Sequence, residues 1–324
     1  MFDIITVGSA TEDVFIRTKN PEILKKNSLH EVCYPIGTKI IVDDIHFCTG
    51  GGGTNSAVSF SRLGLKTAYL GKIGNDKSAR EILNELKAEN VSFIGKSEKG
   101  NTGYSVILIG LEEDRTVLTY KGMADDLKSG DVGWEKLKTK WFYFSSMLGE
   151  SFETLKKLAQ FARKNKIKYT FNPSTYLAKK GTEYLKEITA GCDILVVNRE
   201  EAQLLAGSGS INQLLRKLQE SAKIAIIIIT DGKNGAYAYN GIKKYTVIPR
   251  KLDVVETTGA GDAFASGVTA GIIKGKSIED SLRLGQFNAE SVIRSIGAKN
   301  RLLKNREAEG LLRTKHIRIE EEAI

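Results

Sequence analysis

Apolar runs of strand length alternate with longer helical patterns along most of this 324-residue chain. No other feature restricts the fold as much. Residues 142–144, 168–171, 194–197 and 224–230 read as buried strands, and segments such as 151–165 and 211–221 carry apolar residues at helical spacing between them. Parallel neighbours in a sheet need a crossover connection, and a helix is the usual one. The pattern predicts an α/β chain with a central, mostly parallel sheet and helices on both faces. The run Ile226-Ile-Ile-Ile229 is apolar without interruption, as befits a strand covered on both sides.

Two segments break the alternation. Residues 31–47 and 102–120 are rich in β-branched residues and read as strands with no helix between them. The turn Glu112-Glu-Asp-Arg115 joins two of them into a hairpin. Together with residues 13–18 they predict a small sheet projecting from the main body. The charged tail, residues 301–324, is expected to pack only in part.

Glu256-Thr-Thr-Gly-Ala-Gly-Asp262 follows an apolar run and opens a helix over residues 263–273. Uncovered backbone N–H groups of Gly259, Ala260 and Gly261 at a helix start favour an anion, and the helix dipole adds to this. Asp262 is then a carboxylate beside a phosphate site, where its use is to take a proton from an attacking hydroxyl. An acidic residue in the first turn of any helix has the same sequence, so the motif alone leaves both readings open. A second cluster, Thr49-Gly-Gly-Gly-Gly-Thr-Asn55, opens a helix over residues 56–63. Its glycines permit close approach of a ligand, and Asn55 offers a donor and an acceptor.

Several other chemistries lack their residues. Ala270-Gly-Ile-Ile-Lys-Gly-Lys-Ser277 has alanine where a P-loop needs its first glycine, and it follows a helix. Val7-Gly-Ser-Ala-Thr-Glu12 has one glycine, which counts against the different-class alternative, an NAD-dependent oxidoreductase on a Rossmann-like sheet. His30, Cys33, His46 and Cys48 do not match zinc spacing. The net charge of +9 comes from scattered basic residues without interleaved aromatics, which argues against nucleic acid. There is no apolar run of membrane-spanning length. Three cysteines in no framework spacing suggest reduced thiols, hence a cytoplasmic protein.

The two glycine clusters together, with Asn172-Pro173, Asn198-Arg-Glu-Glu201 and Thr230-Asp-Gly-Lys-Asn-Gly235 in order between them, resemble the ribokinase-like (PfkB) family of sugar and nucleoside kinases. The likeness runs from Val7-Gly-Ser9 to Gly297-Ala298. It implies one kinase domain over residues 1–324, with a lid formed by residues 12–18, 31–49 and 101–122. It also implies ATP- and magnesium-dependent transfer of a phosphoryl group to a hydroxyl of a sugar or sugar acid, the alternative being a nucleoside. Asp262 would be the base and residues 259–261 the anion hole.

The resemblance further assigns Asn198 and Glu201 to magnesium and phosphates, with Glu201 acting through water. A helix cap followed by a first-turn acid fits those two residues equally well. Thr230, Gly232 and Gly235 would face the nucleotide, and Asn288 its base. Asp13, Gly52, Gly53 and Asn55 match substrate positions. Arg115 matches a position near the substrate and suits a carboxylate or phosphate. Ribokinase itself has lysine where Gly52 stands, which argues against ribose. Many members have aspartate where Glu256 stands, beside a monovalent-cation (K+) site. Phe15, Tyr104 and Tyr120 are candidates for a nucleobase slot. An exposed lid edge suggests a homodimer.

Overall fold

The computed structural model describes residues 1–18, 22–26, 29–109 and 115–324. Strands β1 (Phe2–Val7) and β2 (Thr11–Thr18) come first, then the short β3 (Glu22–Lys26) and β4 (Leu29–Cys33), then β5 (Val42–Gly50). Helix α1 (Gly52–Arg62) leads to β6 (Thr67–Leu70) and β7 (Lys72–Ile73). Helix α2 (Lys77–Ala88) leads to β8 (Ser92–Phe93), β9 (Lys96–Ser97), β10 (Gly103–Ile109) and β11 (Arg115–Tyr120). Next come β12 (Thr139–Ser145), α3 (Gly149–Lys164), β13 (Lys168–Asn172), α4 (Thr175–Ala178), α5 (Gly181–Thr189), β14 (Ile194–Asn198), α6 (Arg199–Ala206) and α7 (Ile211–Ala222). The order ends with β15 (Ile226–Thr230), β16 (Ala236–Tyr239), β17 (Lys243–Ile248), α8 (Ala260–Ile273), α9 (Ile278–Val292), α10 (Asn305–Thr314) and β18 (Arg318–Ala323).

Among the described residues the main sheet has the order β18-β17-β16-β15-β14-β13-β12-β1-β6-β8. The stretch from β15 to β8 is parallel, and β15 to β18 run antiparallel. Alternate side chains feed two cores, as a sheet covered on both faces requires. Ile5, Val7, Phe142, Phe144, Leu195, Val197, Ile227 and Ile229 pack on one face under α3, α5 and α7. Ile4, Trp141, Tyr143, Ile194, Val196 and Ile228 pack on the other, against residues of α1, α8 and α9. This is the predicted architecture.

The second sheet has the order β11-β10-β2-β5. Asp13 on β2 stands opposite Ser105 on β10 and Cys48 on β5, so these residues share one face. The other face carries Ile45, Phe47, Leu118 and Tyr120, all exposed. The sheet is smaller than expected. Residues 39–41 are not strand, and β4 pairs with β3 in a separate ribbon. The predicted turn at residues 112–114 lies outside the described residues. The chain returning from β11 is anchored by buried Lys72, whose Nζ meets Glu98 at 2.7 Å, Asp126 at 2.9 Å and Asp131 at 3.1 Å.

Both glycine-led helices begin earlier than expected, α1 at Gly52 and α8 at Ala260. Glycines at a helix start lower the local propensity, yet the buried faces behind them carry the helices through. The charged tail is also better ordered than expected. Leu302, Leu303, Ala308 and Ile317 are buried, and β18 completes the edge of the main sheet. The run of three glutamates in 318–323 hid a strand that pairs along one edge only.

Candidate active site

A cleft of about 360 Å³ lies where the carboxyl ends of the central strands meet the small sheet. Ser9, Ser145, Asn172, Asn198 and Thr230 each sit at or just beyond the end of a main-sheet strand and line it. Ligands bind outside such strand ends, where β1 has its sequence neighbours split to its two sides. Asp13, Ser105, Arg115, Thr119 and Lys121 line it from the small sheet. The volume suits a small polar metabolite.

Asp262 is the third residue of α8 and lines the cleft. Asn55 Nδ2 donates to its carboxylate at 2.9 Å. Burial raises its pKa, opposed by the Asn55 hydrogen bond; the negative charge of Asp13 adds to the rise and Lys299 opposes it. Asn55 Oδ1 is buried without a hydrogen-bond partner among the described residues. A buried acceptor left unpaired is costly, so it is an acceptor held ready for a ligand hydroxyl or amine. Asp13 is buried and accepts from Thr11 Oγ1 at 2.7 Å. Burial raises its pKa as well.

The loop before α8 is shaped for an anion. Gly259 caps the helix at φ +81°, and a Cβ there would lie 2.4 Å from the Ala298 Cβ. Ala260 N–H is taken by Thr257 O at 3.2 Å, a correction to the expected three-residue anion hole. Gly259 and Gly261 remain, both on the cleft wall. Glu256 is buried below them and accepts from Thr258 N at 2.8 Å and Thr258 Oγ1 at 2.6 Å. Its Oε2 has no hydrogen-bond partner among the described residues.

Other expectations divide. Gly52 lines the cleft, with its Cα so close to Ser145 Oγ that a Cβ would lie 2.2 Å from it. Gly53 does not reach a ligand: it is buried against Gly8 and Tyr69, and its N–H and carbonyl are taken by Ser9 O and Thr6 Oγ1. Asn198 and Glu201 form a reciprocal capping box on α6, and both line the cleft. Glu201 also accepts from Thr175 Oγ1 at 3.2 Å, and burial raises its pKa. Thr230 lines the cleft. Gly232 and Gly235 form the turn between β15 and β16, outside the cleft lining.

Asn288 is neither surface nor nucleotide contact. It is fully buried and braces α1, α8 and the segment before α10 through Ser59 Oγ, Ala263 O and Leu303 N. Arg115 lines the cleft but is held by protein groups: it bonds Thr257 Oγ1, and its Nε lies 3.7 Å from Glu256 Oε1. Phe15 is buried, while Tyr104 and Tyr120 sit on the outer face of the small sheet. No aromatic residue is among those lining the cleft. Sequence reasoning missed Ser105, Lys121, Ser145 and Ser174. The signal was available for two of them, since Ser145 and Ser174 are polar residues just past apolar strands.

No group of three candidate metal-binding side chains occurs among the described residues, and no helix there is long and apolar enough to cross a membrane.

The pfkB family carbohydrate kinase pattern matches residues 17–305. An uncharacterized sugar kinase of Archaeoglobus fulgidus is 29% identical, over 76% of this chain and 98% of its own. The ribokinase of Bacillus subtilis is 26% identical, over 96% of this chain and all of its own. The solved structure of a probable sugar kinase from Rhizobium etli CFN 42 superposes with a TM-score of 0.81 at 26% identity, covering 95% of this chain and 98% of that one. A cleft at the strand ends, an anion loop beside a carboxylate and a sheet over both are thus joined to a family pattern spanning most of the chain: it belongs to the pfkB family of carbohydrate kinases and is a sugar or nucleoside kinase.

Proposed function

We propose that this protein transfers the γ-phosphoryl group of ATP to a hydroxyl of a sugar or sugar acid, with Asp262 as the base. The observation that carries the reading is the Asn55–Asp262 pair beside the Gly259–Gly261 loop. Asp262 takes the proton as the hydroxyl oxygen bonds to the γ-phosphorus, and the bond to the leaving ADP oxygen breaks. The N–H groups of Gly259 and Gly261 receive the charge that builds on the transferring group. Asn55 holds the carboxylate in place, and its free Oδ1 accepts from the substrate. Asp13 accepts from further hydroxyls. A lining in which polar side chains outnumber Pro173, Val196 and Val197, with no aromatic among the described residues, suits a sugar better than a nucleobase.

The residues fit magnesium only through water. Both Glu201 oxygens are engaged, and no group of three carboxylate, histidine or cysteine side chains able to hold a metal occurs among the described residues. When bound, magnesium neutralises phosphate charge. Glu256 fits a monovalent cation, because Oε2 is a buried carboxylate oxygen with no hydrogen-bond partner among the described residues. The small sheet acts as a lid that excludes water, a competing acceptor. Its apolar outer face supports a homodimer, and light scattering should then give twice the chain mass; a monomer at micromolar concentration would remove that reading.

The test of the reaction is a panel of sugars, sugar acids and nucleosides assayed for ADP release with ATP and magnesium. A sugar or sugar acid is expected to turn over. Release with nucleosides only would overturn the substrate class.

A further inference from the structure

We propose that the substrate carries an anionic group, a carboxylate or a phosphate, and that Lys121 is the residue that binds it. The inference rests on the kinase reading above and narrows it.

Lys121 follows β11 and lines the cleft beside Asp13, Ser105 and Thr119. Only two cationic side chains line the cleft among the described residues, Lys121 and Arg115. Arg115 is committed to Thr257 and Glu256. Lys121 is not committed. Its Nζ has no hydrogen-bond or ion-pair acceptor among the described residues and rests over the Tyr176 ring, 5.3 Å from the centroid.

The buried lysines among the described residues, Lys72, Lys244 and Lys299, each find a carboxylate. Lys72 holds three, and Lys299 bonds Glu85 at 2.7 Å. A partly buried ammonium without an acceptor is unfavourable, and a ligand anion is the natural remedy. Burial lowers the Lys121 pKa, while the charges of Asp125 and Asp13 oppose that shift. An arriving anion would favour the charged form further.

The position also separates this cation from the transferring phosphoryl group. The anion loop at Gly259–Gly261 has its own N–H groups and needs no lysine from the lid. Asp13 shares the lid wall with Lys121, so one substrate can offer hydroxyls to Asp13 and an anion to Lys121. The lid then recognises two features of the same molecule. A neutral sugar of similar size would leave the ammonium unpaired.

The test compares matched compounds on the wild-type enzyme: an aldose, the corresponding aldonic or ketoaldonic acid, and the corresponding sugar phosphate. The expected result is a kcat/KM for one of the anionic compounds at least about 10-fold above the neutral sugar. A preference for the acid or for the phosphate identifies the anion. Lys121→Met should raise KM for that compound about 10- to 100-fold, the scale of one charge-assisted hydrogen bond, with a smaller change in KM for ATP. Lys121→Arg should restore part of the loss.

Equal or better use of neutral sugars by the wild type would overturn the inference and leave the kinase reading intact. A rise in KM for ATP instead of the sugar would overturn it too, by giving Lys121 to the nucleotide. ADP release with none of the compounds would count against the kinase substrate class itself. The wild-type comparison decides the matter even if the Met variant melts early.

Discussion

Asp262→Asn should lower kcat by about 10²- to 10⁴-fold, the usual contribution of a general base, while leaving the melting temperature nearly unchanged or slightly raised. The amide can still accept from Asn55 Nδ2, so the local geometry survives. The native carboxylate is half-buried with no ion pair, and desolvation raises its pKa. A raised carboxylate disfavours the folded state above its folded pKa, so removing the charge does not cost stability at neutral pH. The loss should fall on kcat more than on KM, because proton transfer belongs to the transition state. The wild-type rate should fall on the acid side as Asp262 takes up a proton. That limb should lie above pH 3.8, the ordinary value for the residue. A variant that melts early and turns over normally would remove Asp262 from the chemistry and leave it as a helix-start acid.

The second large effect is expected at Gly259. Gly259→Ala places a Cβ on a residue at φ +81° and 2.4 Å from the Ala298 Cβ. The left-handed conformation costs about 1–2 kcal/mol, and the overlap adds about 1–3 kcal/mol as neighbouring backbone shifts. A shift of about 1 Å in an anion-binding N–H can cost roughly 100-fold in rate. Both Tm and kcat should therefore fall. Gly261→Ala is the control, since a Cβ there meets open space. It should melt within about 1 kcal/mol of wild type. If Gly259→Ala melts and turns over like wild type, the loop is not the rigid anion site described above.

The strands of this fold were legible because burial on both faces leaves a continuous apolar run, as in 226–229, that no other element shows at that length. Helix starts were less legible. Gly52 and Ala260 begin helices although glycine propensity argues against it, since propensity yields to the buried faces of α1 and α8. Asp262 and Asn55 stood out because each follows a glycine cluster, although the Asp262 motif alone fits a plain helix start equally well, and Asp13 was pointed to only by the family resemblance. Asn288 was not, because a helical asparagine looks the same whether it faces water or sits fully buried among Ser59, Ala263 and Leu303. Arg115 and Lys121 could not be told apart in sequence. Which lid cation is free depends on Glu256, a residue far along the chain that captures one of them.

The edge pairing of β18 with β17 bears on how the protein is made. The six register pairs run from Lys243–Ala323 to Ile248–Arg318. Everything between them, including the anion loop and Asp262, is bracketed by that one sheet edge. Every residue that lines the cleft has been synthesised by position 262. A nascent chain at that length therefore carries every lining residue yet still presents β17 as an open strand edge, a template for wrong pairing. Translation has to continue some sixty residues further, to residue 323, before the edge is covered. On the ribosome, then, every cleft-lining residue is present before the sheet is complete, and the charged strand is what covers the edge of β17.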